Sequence, residues 1–178
     1  DLLYCDPKDS KKRSDCILTL KVILECLLKW FAPILSFTTE EIYHLISKED
    51  KEGSIHLQKF VKIPEHWKNE ELDDKWQKIK MIRDEANISI ESKRAEKIIG
   101  SSLEANIEIK IKDKDLYSLA QKHDFSEICI TSSALLLNDN NLENEIEVTS
   151  SKAIGKKCPV CWKISKEICE KHGHLSVQ

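Results

Sequence analysis

Glycine and proline are both scarce in this chain, with four of each among 178 residues. So few glycines leave no glycine-rich loop of the kind that wraps the phosphates of a bound nucleotide. Acidic residues that stand together, such as Asp73 and Asp74, are adjacent on predicted helices, where neighbouring side chains point in different directions. The sequence therefore predicts no catalytic site within this chain.

Long apolar runs are absent as well. The richest stretch, residues 17–37, is interrupted by Lys21, Glu25 and Lys29, so it falls short of the roughly 20 apolar residues that cross a bilayer. No basic and then apolar segment resembling a secretory signal opens the chain. Its first residue is Asp1 rather than Met, which suggests a piece of something larger. We expect no membrane association.

The seven cysteines are an odd number, and four of them are scattered singly. Extracellular disulfide frameworks usually have an even number of closely spaced cysteines. We therefore predict a cytoplasmic protein whose isolated cysteines act as small buried apolar side chains: Cys5, Cys16, Cys26 and Cys129.

Apolar residues at helical spacing predict two helices in the first third of the chain. The first covers Ser14–Phe31 and is ended by Pro33, because residues before a proline avoid the helical region. The second begins at Thr38, an N-cap that a glutamate three residues later completes as a capping box. Phe37 is expected to pack on Ile42 as a hydrophobic staple. So short a link predicts an antiparallel hairpin in a helical bundle.

A change of period marks the middle of the chain. After an extended run at Ser54–Leu57, helical spacing predicts a long helix over Glu70–Ile98 that links two units, with Gly100 as its C-terminal cap. Ile107–Ile111 then alternates isoleucine with charged residues, which predicts a half-buried strand.

Short elements fill the region that follows. The pattern predicts a helix over Asp113–His123, strands over Glu127–Ser132 and Ile146–Ala153, and a turn at 138–141, without fixing the strand order. Helices first and short strands later indicate an α+β protein. We predict a helical-bundle portion followed by a small mixed α/β junction unit and a terminal zinc-binding module, at residues 1–69, 70–153 and 154–178.

The most specific pattern lies near the C-terminus. Cys158 and Cys161 are separated by two residues, and Cys169 and His172 repeat that spacing. Two such pairs suit a tetrahedral zinc site that is closed by four ligands and leaves no position for chemistry. The fourth ligand is His172 by spacing, with His174 as the alternative. A coincidence of buried cysteines is the competing interpretation, but the segment has too few apolar residues for a core without a metal.

Basic residues surround this pattern and also close the long helix. An acidic stretch at 138–149 runs into a terminal segment with six lysines against two glutamates. Trp162 is either the small core of that segment or a platform on which an unpaired base stacks. The basic residues are either solvated or, at the helix end, complementary to its dipole, or else they contact phosphates; they are Lys156, Lys157, Lys163, Lys93, Arg94 and Lys97.

Several segments together resemble the C-terminal part of a bacterial-type isoleucyl-tRNA synthetase. The segment Ala32–Ile42 is similar to the helical anticodon-binding domain that this family shares with the valyl, leucyl and methionyl enzymes. More specific similarity lies in Ser54–Leu57, Ile82–Asn87, Ile99–Ala105 and the run Cys158–Trp162 with its second metal-binding pair. This chain departs from the family at two positions: His172 stands where a cysteine is usual, and Val160 where an arginine is usual.

The resemblance implies that the parent enzyme joins isoleucine to its tRNA using ATP, which is not bound by this chain. The His-x-Gly-His and Lys-Met-Ser-Lys-Ser signatures of the family's catalytic domain do not occur here, and neither does its editing domain. The implied partners are isoleucine-accepting tRNA and the rest of the synthetase chain, in a monomer. We also predict one structural zinc ion and an RNA contact by Trp162 and the six basic residues. The rivals are a sister synthetase and a zinc-stabilised protein-interaction module.

Overall fold

The computed structural model describes residues 2–47, 53–169 and 172. The chain divides into two compact units, residues 1–68 and 69–178. Its helices and small mixed sheet confirm the predicted α+β class. The division into three domains stays a prediction. Within the described part of the chain, no helix combines the length and apolar character that crossing a membrane requires.

Two helices build the first unit. Helix α1 covers Lys11–Phe31 and begins at Ser10, whose Oγ accepts a hydrogen bond from the Arg13 N–H. Helix α2 covers Ser36–Ile46. Both helices contribute to a small core, together with a segment that follows them; its members are Leu24, Leu28, Ala32, Ile42, Tyr43 and Ile55.

The predicted start of α2 is wrong. The Leu35 N–H bonds back to the carbonyl of Phe31 at 2.7 Å, and the Thr39 N–H bonds to the Leu35 carbonyl at 3.0 Å. The chain therefore turns out of α1 directly into α2, with Leu35 at the N-cap position and no side-chain cap. Thr38 lies inside the first turn, so the capping box does not form. Phe37 is 91% exposed, which also excludes the predicted staple.

A short turn replaces the extended run predicted at 54–57. Ile55–Leu57 forms one turn of 3-10 helix, and a second covers Glu65–Trp67. The Glu40 carboxylate holds the first turn against α2: its Oε2 accepts from Ser54 Oγ at 3.0 Å and from the Ile55 N–H at 2.9 Å. These bonds to one carboxylate bend the segment, which explains why it is not extended.

The second unit begins with α3, which covers Glu70–Ala95. Asn69 caps it, because its Oδ1 accepts from the Leu72 N–H at 2.9 Å. Gly100 is not the C-terminal cap. The reversal occurs at Lys97, which has φ 58°, and the Lys97 and Ile98 N–H groups bond back to the last turn of α3. One face of α3 is buried in the core of the unit: Ile79, Ile82, Ala86 and Ile90.

A three-stranded sheet packs against α3. Its strands are β1 (Ala105–Ile111), β2 (Ser133–Asn138) and β3 (Ile146–Lys152), in the order β2-β1-β3. Strand β1 runs parallel to β2 and antiparallel to β3. The predicted alternation of β1 and the predicted third strand are confirmed. The buried face of β1 consists of Ala105, Ile107, Ile109 and Ile111.

Two helices connect β1 to β2. Helix α4 covers Lys114–Ala120, within the predicted range, and α5 covers Phe125–Ile128. The strand predicted at 127–132 is therefore wrong. Asp124 Oδ1 accepts from the Ser126 N–H at 2.8 Å and starts α5, and Ile130 with φ 54° ends the turn that follows. A local cap decided the structure of this segment against its β-branched composition.

Candidate metal centre and nucleic-acid interface

The cysteine pair at 158 and 161 lies on a tight turn between two very short strands. Strands β4 (Lys156–Lys157) and β5 (Ile164–Ser165) pair antiparallel. The Cys158 N–H bonds to the Lys163 carbonyl at 2.9 Å, and the Trp162 N–H bonds to the Cys158 carbonyl at 3.0 Å. The first strand requires Gly155 before it, because this residue has φ 142° and a Cβ there would overlap the Ser165 backbone.

Four potential ligand atoms converge beside this turn, all within 4.8 Å of one another. Cys161 Sγ lies 3.7 Å from Cys169 Sγ, and His172 Nδ1 lies 3.3 Å from Cys169 Sγ and 3.7 Å from Cys158 Sγ. A tetrahedral zinc ion with its usual bond lengths would separate two sulfurs by about 3.8 Å and a sulfur from a nitrogen by about 3.6 Å. The donor set and its spacing therefore fit zinc. His174 lies outside the described residues.

Backbone groups prepare the first thiol for metal binding. Burial raises the pKa of Cys158, but hydrogen bonds from the Cys161 and Val160 N–H groups and from side chains of the cluster outweigh it and lower this pKa to about 6. Burial and neighbouring thiols raise the pKa of Cys161 to about 11. One thiolate therefore forms readily in this cluster, and a bound metal would displace the protons of the other two thiols into solvent.

Trp162 is presented outward instead of forming a core. Its side chain is 57% exposed, and the Lys157 Nζ lies 5.0 Å from the centroid of its ring. Its φ of 64° is left-handed, a conformation that is rare for bulky residues and usually costs free energy. A bulky aromatic residue thus occupies a backbone conformation that glycine would adopt at a lower cost in free energy.

The three lysines predicted to contact phosphate differ in their surroundings. Lys156 is exposed, and Lys157 is exposed above the Trp162 ring. Lys163 is half-buried, and its Nζ donates to Ser126 Oγ at 2.7 Å. Two of the three are therefore directed to solvent.

A second basic group lies where α3 ends. Lys93 pairs with Glu96 at 2.9 Å, and Arg94 pairs with Glu91 at 2.7 Å. Lys97 forms no ion pair in the part of the chain that the structure describes. An open cleft of about 650 Å³ lies between this helix end and the end of β3. Its polar lining consists of Glu91, Arg94, Lys97, Glu104 and Lys152.

Sequence reasoning missed Lys152 as a member of this group. Its position as the last residue of β3 could have signalled it, had the strand order been known. Its side chain also lacks an ion-pair partner among the described residues. The structure therefore brings a cation from a distant segment beside Arg94 and Lys97.

Comparison with known proteins defines the class. A family model described as the anticodon-binding domain of tRNA ligase matches residues 1–110. The chain therefore belongs to this family of tRNA ligase domains. The matched range includes both helices of the first unit, α3 and most of β1, and the cluster of three cysteines and one histidine lies beyond it.

Isoleucine–tRNA ligases are among the curated proteins that are similar to this chain. The chain is 58% identical to that of Pelagibacter ubique over 172 residues, 38% identical to that of Agrobacterium fabrum and 35% identical to that of Bartonella henselae. These matches cover 94–97% of this chain and 18% of each relative. The predicted resemblance to isoleucyl-tRNA synthetases is confirmed, and the chain spans about a fifth of the length of these relatives.

Proposed function

We propose that this chain is the tRNA-recognition portion of an isoleucine–tRNA ligase and that it binds the anticodon stem and loop. The match of residues 1–110 to the anticodon-binding family carries this proposal. The whole enzyme would attach isoleucine to its tRNA using ATP, with the catalytic and editing domains outside this chain. The contribution of this chain is positioning, because holding the tRNA in one orientation fixes where its acceptor end lies.

One structural zinc ion is proposed for the terminal segment, held by Cys158, Cys161, Cys169 and His172. The four ligand atoms already lie within 4.8 Å of one another, and zinc accepts thiolate and imidazole ligands in closed tetrahedral sites. The ion would supply the cross-link that a segment with few buried apolar residues needs. Metal binding and folding of this segment should then be coupled.

The exposed Trp162 is the proposed stacking platform for an unpaired base. Single-stranded RNA is recognised by stacking on aromatic rings beside basic side chains, and Lys157 lies directly over this ring. Lys156, the residue before Lys157, is also exposed, and both lysines are proposed to contact phosphate. The cost of the left-handed conformation at Trp162 supports a role for the ring outside the fold.

The cleft at the end of α3 is a second proposed phosphate contact. Within the described residues, Lys97 and Lys152 form no ion pair. Lys93 and Arg94 each pair with a glutamate, and on binding they would exchange that partner for an RNA phosphate. Phosphate contacts fix the register of a nucleic acid without reading its sequence. Contact with the bases themselves is therefore assigned to Trp162.

The remaining partners follow from the same proposal. The rest of the synthetase chain is the covalent partner, the enzyme acts as a monomer, and it is cytoplasmic.

Titration of the zinc-loaded chain with isoleucine-accepting tRNA at several salt concentrations tests the proposal. Affinity should fall linearly on logarithmic axes, with a slope of about 0.7–0.9 for each phosphate contacted. An RNA-binding portion of a sister synthetase would show the same slope but prefer a different tRNA. A protein-interaction module would show no salt-dependent RNA binding, and that result would contradict the proposed function.

A further inference from the structure

The metal-binding turn is the turn between β4 and β5 that carries Cys158 and Cys161. Two side-chain bridges join its C-terminal end to the rest of the second unit. In the first, the Ile164 N–H donates to Ser132 Oγ at 2.6 Å, and this hydroxyl donates to the Leu103 carbonyl at 2.5 Å. The Ser132 N–H also bonds to the Ala105 carbonyl at 2.9 Å. Ser132 therefore ties β5 to the start of β1.

The second bridge runs from a lysine ammonium group through a serine to an aspartate. Lys163 Nζ donates to Ser126 Oγ at 2.7 Å, and Ser126 is buried. Asp124 Oδ1 accepts from the Ser126 N–H at 2.8 Å, so its carboxylate lies beside Ser126. Although desolvation opposes ionisation, hydrogen bonds from Ser126 and the charge of Lys163 lower the pKa of Asp124. Lys163 and Asp124 are thus electrostatically coupled across Ser126.

Lys163 is also part of the metal-binding turn. It follows Trp162 directly, and its carbonyl accepts from the Cys158 N–H at 2.9 Å. One residue is therefore bonded through its backbone to the turn and through its ammonium group to the body of the unit. A rotation of the turn would break the Lys163–Ser126 bond.

We infer that Lys163 and Asp124 are positioning residues for RNA recognition: their bridge through Ser126 fixes the direction in which the metal-binding turn presents Trp162. This inference rests on the proposed function. It assigns the charge of Lys163 to an internal contact, in place of the phosphate contact predicted from the sequence.

Because Asp124 is acidic, replacing it distinguishes a positioning role from a long-range electrostatic effect on RNA. If Asp124 acted only through long-range repulsion of the RNA phosphates, removing its charge should strengthen RNA binding. If Asp124 positions the turn, Asp124→Asn should instead weaken binding. Asparagine is as good an N-cap as aspartate, so this variant keeps the start of α5. Lys163→Met removes the other partner, and Lys156→Met is the matched control on an exposed lysine of the same segment.

Binding of isoleucine-accepting tRNA is measured for each zinc-loaded variant across salt concentrations, with zinc content as the check on folding. Asp124→Asn and Lys163→Met should each weaken binding about three- to tenfold, the factor for one hydrogen bond, with the salt slope unchanged. The double variant should lose little more than either single variant, and Lys163→Arg should restore binding. Lys156→Met should lower the slope by about 0.7. Equal or tighter binding by Asp124→Asn, with a lowered slope for Lys163→Met, would overturn the inference.

A measurement without RNA separates this inference from the proposed function. Hydrogen exchange at the Ile164 amide, which is bonded to Ser132, should be faster in Asp124→Asn and Lys163→Met than in Lys156→Met or the unchanged chain. Unchanged exchange in both variants overturns the bridge, whatever the RNA result. If the unchanged chain binds no tRNA while exchange still responds, the proposed function fails and the bridge between the turn and the unit stands.

Discussion

The ammonium group of Lys157 lies 5.0 Å from the centroid of the Trp162 ring, on the exposed surface of the metal-binding turn. The exposed ring provides a surface on which a base can stack, and the adjacent cation can pair with the phosphate of that nucleotide. Because the ring is exposed, its removal should affect RNA binding without affecting the fold.

Trp162→Ala should weaken binding of isoleucine-accepting tRNA by about 5- to 150-fold, which corresponds to roughly 1–3 kcal/mol per stacked base. Zinc content should not change. Trp162→Phe keeps a stacking ring and should retain most of the affinity. Trp162→Gly should lose RNA binding as Ala does, while its metal segment becomes more stable, since glycine accepts φ 64° at little cost. Loss of zinc in both the Ala and Gly variants would show that the tryptophan is structural.

The purified chain should contain about one zinc ion per molecule, because four ligands close one tetrahedral site. Serine in place of Cys158, Cys161 or Cys169 should lower that content and unfold the terminal segment, since metal binding is coupled to folding. His172→Cys should retain the zinc, and so should the control Cys16→Ser. Metal analysis together with the amide NMR signals of residues 153–169 makes the comparison. A well-folded segment without metal would contradict the ligand assignment.

Lys97→Met and Lys152→Met should each lower the salt slope of tRNA binding by about 0.7–0.9. Both side chains line the cleft at the end of α3, so their phosphate contacts should add. Lys122→Met, a change at an exposed lysine just after α4, serves as the control and should leave the slope unchanged. If all three variants share the slope of the unchanged chain, the cleft does not contact phosphate.

The contact between Glu40 and the turn at Ile55–Leu57 should depend on pH. Partial burial of Glu40 opposes ionisation, but bonds from Ile55, Ser54 and His44 lower its pKa from the ordinary value of 4.5. A carboxylate with a lowered folded pKa stabilises the fold above its unfolded pKa, and this contribution disappears as the pH falls through the folded value. Protection of the Ile55 amide from hydrogen exchange should therefore fall as the pH drops below about 4.5.

Glu40→Gln supplies the comparison, because glutamine does not ionise in this range. Protection of Ile55 in that variant should be lower at neutral pH and nearly independent of pH. The same pH dependence in both proteins would show that another group controls the turn.

Periodicity and ligand spacing were sufficient for much of this structure. The alternation of isoleucines in β1 and the helical spacing of α3 reflect burial of one face, which the sequence records directly. The convergence of Cys158, Cys161, Cys169 and His172 also followed from spacing, because two-residue gaps favour a turn that aims both side chains at one point.

The failures occurred where single hydrogen bonds decide the backbone. Helix α2 begins before Thr38 because the Leu35 N–H bonds to the carbonyl of Phe31. Helix α3 ends before Gly100 because Lys97 adopts a left-handed backbone conformation. The cap at Asp124 started α5, which includes the first two residues of the strand predicted at 127–132. Side-chain bridges over long sequence separations, such as Lys163 to Ser126, leave no periodic signal and became visible only in the fold.

Exchange of the anticodon tests the central claim most directly. The zinc-loaded chain is titrated with isoleucine-accepting tRNA and with the same tRNA in which only the anticodon has been replaced by that of a valine or methionine acceptor. The account predicts weaker binding after the exchange, with a discrimination that Trp162→Ala reduces, and a salt slope common to all the tRNAs because phosphate contacts are independent of sequence. Equal affinity for every anticodon would contradict it.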